Sequence, residues 1–364
     1  QAIKFHLKGN IPEAAKCYQY CINQGFDDHR VFSNYGIILI GLGKSQEAEL
    51  FTRKAIGLKP EIADLYSNLG LVLKDLGKLK EAEVIFRKAI DINPNFANAH
   101  CNLGNIYRDL KNLKKAEQSH RKAIELEPNK GSFHSNLGLT LRDMGNFVEA
   151  ERSLRKAINF NPGLIEAYLN LGSILTDLGK LKDAEIFTRK LIKMRSDLPQ
   201  SYYNLSIIET RIGNLKEAEI SLRKAIELNP NYDKAYSNLA MVLSILGNQY
   251  DAIKYYNKAI NLNDKLSDAK SNLIKLKGSI CDWSDQNTQN NWLSEIGIKG
   301  EPVYQLDLFC YEDNPLKQLH RAKNLYKKKY RKISKSISNF KNNKIHIGYF
   351  SADFRAHATT YLIS

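Results

Sequence analysis

No stretch of this sequence stays apolar for long. The longest such run, Tyr35 to Leu42, covers eight residues, less than half of the ~18–20 that a membrane-crossing helix needs. Gln1–Gly9 lacks the extended apolar core of a secretory leader. Cysteine is scarce and odd in number: Cys17, Cys21, Cys101, Cys281 and Cys310. Irregular spacing and an unmatched fifth thiol argue against a disulfide framework and point to a reducing, cytoplasmic setting. Cys17 and Cys21 stand four apart, a spacing that shares a helix face. No neighbouring His or Cys completes a metal site, so no metal is expected and both read as core residues. Acidic residues are the minority, 39 against 54 Lys and Arg. The chain opens on Gln rather than Met and stops at Ser364 inside an apolar run, so a fragment cut at both ends is expected.

What the sequence does have is a period. Asn68-Leu69-Gly70 returns as Asn102-Leu103-Gly104, Asn136-Leu137-Gly138 and Asn170-Leu171-Gly172, each time after 34 residues. An alanine column runs unbroken beside it through Ala14, Ala48, Ala82, Ala116, Ala150, Ala184, Ala218 and Ala252, and Pro60, Pro94, Pro128, Pro162 and Pro230 close most units. Two antiparallel helices approach closely only where side chains are small, which Gly70, Ala82 and Ala89 provide, while Leu69, Leu73 and Phe86 fill the space around them. Gly77 permits the turn between the helices, and Pro94 cannot continue the second one. Each unit alone leaves an apolar flank that only a neighbour can cover. The pattern resembles the tetratricopeptide repeat family and implies a mostly α chain, an α-solenoid. Its units read as a partial one over 1–28 and full ones over 29–62, 63–96, 97–130, 131–164, 165–198, 199–232 and 233–266, with a trailing helix over 267–280. The unit at 165–198 carries Thr188 and Leu191 at packing positions and Ser196 in place of proline, so a local irregularity is expected there.

Two further columns bear on function. Asparagine recurs without exception at Asn34, Asn68, Asn102, Asn136, Asn170, Asn204, Asn238 and Asn272. At about 100° per residue it points away from the Leu69/Gly70/Leu73 stripe, toward the concave groove that the first helices of such repeats line. Two turns on come Asp75, Asp109, Asp143 and Asp177. A primary amide offers a donor and an acceptor side by side, which matches a peptide bond of any sequence. Asparagine costs a helix roughly 0.6 kcal/mol against alanine, so eight copies favour peptide binding over a purely structural role. The net charge of +15 suggests nucleic acid at first sight. Yet its largest source, Arg-Lys pairs such as Arg53-Lys54 and Arg87-Lys88, follows Glu49 and Glu83 by four residues. That spacing makes helix-stabilising ion pairs, and no aromatic interleaving accompanies them, so nucleic acid is disfavoured.

After Lys277 the period stops. The segment 281–343 reads as a link that contains a basic amphipathic helix, with Leu316, Leu319, Ala322, Leu325 and Tyr326 at helical spacing. Packing on a domain with a wet basic face is favoured for it over a membrane surface. Over 344–364, Ile345, Ile347 and Tyr349 alternate with His346, Gly348 and Phe350, as in a strand. A polar loop and a helix start near Thr359 follow, the opening of an α/β nucleotide-binding unit.

Cys281-Asp282-Trp283-Ser284-Asp285, directly after the repeats, resembles the entry to the catalytic region of the O-linked N-acetylglucosamine transferase family. Ile347-Gly348-Tyr349-Phe350-Ser351-Ala352-Asp353-Phe354, then His357-Ala358-Thr359, is similar to that family's first catalytic strand and loop. The resemblance implies a glycosyltransferase B fold beginning at 344, UDP-N-acetylglucosamine as donor substrate (GDP-fucose or another nucleotide-sugar being the alternative), and Ser/Thr of proteins held in the groove as acceptors. It implies no tightly held cofactor, and it makes His357 a catalytic candidate. Arg355-Ala356, Ala358 and Tyr361 depart from animal members and match a bacterial type. A scaffold without catalysis, and a basic binder of nucleic acid or anionic surfaces, are the other readings; the oligomeric state is open. The family's donor-binding residues lie in a second lobe beyond Ser364. Incubation of the purified 364-residue chain with UDP-N-acetylglucosamine and Ser/Thr peptides is therefore expected to leave the peptides unmodified by mass spectrometry.

Overall fold

The computed structural model of the protein describes residues 2–282, 284, 291–298, 302–303 and 314–330. Every element among them is a helix. These are α1 (Ala2–Leu7), α2 (Ile11–Asn23), α3 (His29–Gly41), α4 (Ser45–Leu58), α5 (Ala63–Asp75), α6 (Leu79–Ile92), α7 (Ala97–Asp109), α8 (Leu113–Leu126), α9 (Gly131–Met144), α10 (Phe147–Phe160), α11 (Ile165–Asp177), α12 (Leu181–Met194), α13 (Pro199–Ile212), α14 (Leu215–Leu228), α15 (Asp233–Ile245), α16 (Gln249–Leu262), α17 (Ser267–Ser279) and α18 (Pro315–Tyr330). The chain forms two compact units, Gln1–Tyr255 and Tyr256–Ser364. The expected strand at 344–350, the glycosyltransferase lobe it would open, Cys310 and His357 lie outside the described residues.

The first unit is a stack of helical hairpins, and its sequence explains the stacking. Gly36, Gly70, Gly104, Gly138 and Gly172 sit on the odd-numbered helices opposite Thr52, Phe86, His120, Leu154 and Thr188. A Cβ built on any of the five glycines would come within 2.5–2.9 Å of its partner's side chain. Ala48, Ala82, Ala116, Ala150, Ala184 and Ala218 are fully buried on the even-numbered helices. The turns between the two helices of a hairpin pass through positive φ at Gly43, Gly77, Gly145, Gly179 and Gly213, and once at a residue with a side chain, Lys111 (φ 62°). In the unit at 165–198 α11 and α12 run unbroken, and the expected irregularity takes the form of a looser approach of the two than in the hairpins on either side. Thr188 and Leu191, 2% and 0% exposed, exchange the bulk of Phe86 and Ala89, so the volume is kept while its place moves by one turn.

Successive odd-numbered helices touch one another: α3 with α5, α5 with α7, α7 with α9, α9 with α11, and α11 with α13. Among the described residues no successive even-numbered helices make a comparable approach. The odd-numbered helices therefore line the inner side of the stack and the even-numbered ones the outer side. The outer side is laced with ion pairs that cross from unit to unit. Arg53 reaches Glu49 (2.7 Å) and Glu81 (3.3 Å), and Lys78 returns to Glu49 (2.7 Å). Arg155 holds Glu151 (3.0 Å) and Asp183 (2.8 Å), with Lys180 also on Glu151 (2.8 Å). Burial pushes the Glu151 carboxyl up, but the bonds from Lys180 and Arg155 outweigh it and hold it below the usual carboxylate range. Networks of this kind contribute more than isolated surface pairs.

In the second unit, Ile274 of α17 packs with Leu293, Ile296 and Val303. The helix expected within 281–343 is present as α18, but the face that packs is not the apolar one. Of the five apolar residues expected to pack, Leu316, Leu319 and Tyr326 are 78%, 51% and 55% exposed and Ala322 and Leu325 are half-buried, while Arg321 is fully buried. The Arg321 guanidinium donates to the carbonyls of Leu293 and Ile296, the latter at 2.8 Å. Asn324 Nδ2 donates to the carbonyls of Gly297 (3.1 Å) and Ile298 (3.0 Å). The irregular turn 293–298 offers carbonyls that need donors, and a guanidinium with five N–H groups satisfies them where a leucine stripe has none to give.

One core position is chemically costly. His120 stands where α6 has Phe86; it is fully buried and neither ring nitrogen has a partner. Burial, with the Arg108 charge in the same direction, lowers its pKa to about 3. The unfolded chain takes up a proton below about 6.5 and the folded one does not, so stability falls as pH drops from there toward 3. His120→Phe should flatten that fall by up to about 1.4 kcal/mol per pH unit. Urea unfolding of both proteins between pH 7 and pH 4 measures the difference, and parallel pH profiles would contradict it.

Candidate functional site

The asparagine column lies along the inner helices, and all eight side chains are half-buried rather than open to solvent. Packing between neighbouring units explains this. Asn68 Nδ2 donates to Ser33 Oγ of the preceding inner helix at 2.8 Å, and Asn136 Nδ2 reaches Cys101 Sγ at 3.1 Å across the same 35-residue step. Asn170 Oδ1 accepts from Arg142 Nη1 (3.3 Å), and Asn204 Oδ1 accepts from Gln200 Nε2 (3.0 Å). Asn238 bonds to Tyr203, whose phenol is pushed up chiefly by burial. In the second unit Asn272 bonds to Tyr256. Asn102 has no hydrogen-bond partner among the described residues. Each bond found uses only part of an amide that has two donors and two acceptor lone pairs, so the column is positioned by the fold and still has groups to offer.

The aspartates sit two turns beyond, at the end of the inner helices. Asp75 accepts from Ser45 Oγ. Asp109 faces Lys74 at 3.6 Å, and Asp143 faces Arg108 at 3.9 Å and Arg142 at 3.5 Å. The Lys74–Asp109 and Arg108–Asp143 contacts repeat the 35-residue step of the asparagines, so part of the acidic column serves as a bridge between units. Asp177 is exposed and has no ion pair among the described residues. The same column continues as Arg211, which donates to the Thr176 carbonyl at 2.7 Å, and as Ile245, 58% exposed.

Between the asparagines and the aspartates, three residues after five of the eight asparagines, stand apolar side chains that were not among the residues singled out from sequence, the other three places being Asn105, Ser173 and Lys275. Ile37, Leu71, Leu139, Ile207 and Met241 are all half-buried on the inner helices. Aligning the units on their period would have found them, since aliphatic residues recur there at a place too exposed for core. The same alignment marks Glu209, which stands in the column of Leu73, Leu141, Leu175 and Leu243 yet is 2% exposed. Burial raises its carboxyl, and Ser221 Oγ (2.7 Å) and Arg189 (3.0 Å) partly offset that.

Of the C-terminal residues carried by resemblance, the described ones are Cys281, Asp282 and Ser284. Cys281 is exposed at φ 56°. Ser284 donates to Asp282 Oδ1 through Oγ (2.7 Å) and N (3.1 Å), and these bonds hold the carboxyl below its usual range. Cys17 and Cys21, expected in the core, are half-buried free thiols, because only the short α1 covers that flank. Cys101 is buried, and burial pushes its thiol up. Among the described residues no group of three or more metal-ligating side chains is found, and no helix is long and apolar enough to cross a membrane.

The tetratricopeptide repeat family profile matches residues 63–96, 97–130, 135–160, 165–198, 199–232 and 221–254. No curated protein matches the sequence. Among solved structures, the Cut9-Hcn1 hetero-tetramer of the APC/C is similar over 73% of this chain and 52% of that one, at 15% identity and a TM-score of 0.60. Pseudomonas aeruginosa pilF is similar over 56% of this chain and 92% of that one, at 20% identity and a TM-score of 0.50. YrrB, described as a tetratricopeptide repeat protein with an unusual peptide-binding site, covers 50% of this chain and 95% of its own at 25% identity, with a TM-score of 0.43.

The two kinds of asparagine separate stability from binding. Asn68→Ala removes the bond to Ser33 and should cost about 1 kcal/mol. Asn102→Ala removes none and should stabilise its helix by up to about 0.6 kcal/mol. Thermal unfolding of the two variants checks the pair; equal destabilisation would show that both amides serve packing.

Proposed function

Since this chain is a tetratricopeptide-repeat protein, we propose that its inner groove binds partner proteins as extended segments, gripped through their main chain. The observation that carries the reading is the asparagine column at an unvarying place on the inner helices, several of its members bonded to a neighbouring unit and all with hydrogen-bonding capacity left over. An amide that meets a peptide group fixes the segment without choosing its side chains. The half-buried aliphatic side chains beside it supply apolar contact, which adds affinity without strict sequence demand.

The finer reading is that the bound segments are acceptors for a sugar. In this proposal the groove presents Ser/Thr of client proteins to a transferase region that uses UDP-N-acetylglucosamine, or GDP-fucose or another nucleotide-sugar, with His357 as a catalytic group near the acceptor hydroxyl. Support comes from the two short segments at 281–285 and 347–359 and their order after the repeats. An imidazole there would accept the proton of the Ser/Thr hydroxyl as its oxygen bonds to the anomeric carbon and the bond from that carbon to the diphosphate breaks, releasing the nucleoside diphosphate.

The test uses the reading frame that encodes this chain, with and without His357→Ala, incubated with UDP- and GDP-sugars and a pool of Ser/Thr peptides. Sugar on peptide, lowered at least about a hundredfold by the substitution, is the expected result. Asn102→Ala combined with Asn136→Ala should weaken peptide capture without lowering nucleotide-sugar binding. Absence of both transfer and nucleotide-sugar binding, with peptide capture retained, would leave a docking scaffold as the function.

A further inference from the structure

The outer side of the first unit holds a cavity of about 860 Å³ between α8 and α10, above α9. Its apolar lining includes Ile124 of α8, Leu137 of α9 and Phe147 of α10, and its rim includes Arg121, Arg152 and Lys156. The cations around it differ in one respect. Arg121 is held by Glu117 (2.9 Å) and Glu149 (2.5 Å), and Lys122 by Glu125 (2.8 Å). Arg155, on the same helix, is held by Glu151 and Asp183. Arg152 and Lys156, one helical turn apart and both exposed, have no ion pair or hydrogen bond among the described residues.

The repeat supplies an internal control. Two units on, the equivalent groove between α12 and α14 has a cavity of about 480 Å³, with Ile192 and Leu205 where the first has Ile124 and Leu137. There the place of Arg152 is taken by Ile220, and Lys224, in the place of Lys156, is bound to Glu227 at 2.8 Å. The column of Arg152 elsewhere reads Lys16, Leu50, Val84, Gln118, Ile186, Ile220 and Lys254, with Leu50, Val84, Ile186 and Ile220 67%, 64%, 63% and 68% exposed. Arg152 thus stands, with the unpaired Lys156 one turn on, beside a wider groove than the one that Ile220 borders.

We infer that this outer groove is a second binding site, for an acidic peptide segment of a partner that also carries aliphatic side chains. Leucine-like side chains fill the floor over Ile124 and Leu137, and carboxylates meet Arg152 and Lys156 at the rim. Charge complementarity at a rim mainly sets selectivity and rate of encounter, and the apolar floor adds affinity. The site uses the outer helices and so stands apart from the inner groove.

Selection of displayed peptides on the full 364-residue chain, followed by fluorescence polarisation with the synthetic winners, tests it. One recovered class should combine Asp or Glu with Leu or Ile. Its binding should weaken about tenfold, or about 1.4 kcal/mol, for Arg152→Ile, which installs the residue found at Ile186 and Ile220 and so suits the fold. Lys156→Glu with Arg152→Glu should weaken it further, with circular dichroism unchanged, while Asn102→Ala with Asn136→Ala leaves it intact. Failure to recover the class, binding indifferent to Arg152→Ile, loss in the asparagine variant, or equal displacement by single-stranded DNA would each overturn the assignment.

Discussion

The close approach of two helices at a glycine governs everything else in this chain. Gly70 meets the ring of Phe86 at a distance that even one methyl group would close to 2.6 Å. Because the inner helix has no side chain there, the outer helix sinks onto it, and both present their flanks to the next hairpin at a fixed offset. Substituents vary from Thr52 to Phe86 to His120 to Leu154 while the glycine stays, and on α13 and α15 the buried Ser206 and Ala240 take its place. Burial of His120 without partners shows how strongly this packing is enforced: the contact is kept even where it desolvates an imidazole.

From that offset come the two faces. Inner helices near enough to touch allow Asn68 to reach Ser33, Asn136 to reach Cys101, and Lys74 to reach Asp109, each across one unit. The outer helices stand farther apart, so their bridges need longer side chains: Arg53 to Glu81, Arg155 to Asp183, Lys180 to Glu151. Short amides inside and long guanidiniums outside are therefore two answers to one geometry. The outer spacing also opens the grooves between α8 and α10 and between α12 and α14.

The repeat was legible in the sequence because its determinants recur: a fully buried alanine at Ala82, Ala116 and Ala150 cannot be mistaken for surface when the period is 34. What stayed illegible depends on a neighbour rather than on a column. The asparagines read as an open ladder because nothing in a single unit reveals Ser33 or Cys101 beside them. At Thr188 and Leu191 the irregularity was legible but its form was not, because their combined volume repeats that of Phe86 and Ala89 and leaves both helices unbroken. The apolar spacing of Leu316, Leu319 and Tyr326 pointed to the wrong face of α18 because the carbonyls that fix Arg321 come from a turn with no periodicity at all.

The division of polar groups also bears on how one stack serves partners of different kinds. Inner amides are constrained by neighbours and neutral, so what they recognise is the part of a partner common to all sequences, and salt has little hold on it. On the outer face some cations are paired, as Arg53, Arg121 and Arg155 are, while others such as Lys88 and Lys182 have no ion pair among the described residues, in keeping with the chain's net charge of +15. Only an uncancelled charge beside an apolar floor selects, because an acid with no aliphatic neighbour gains too little, and an aliphatic segment with no acid meets the same floor two units away. Arg152, unpaired beside the floor of Ile124 and Leu137, meets both conditions.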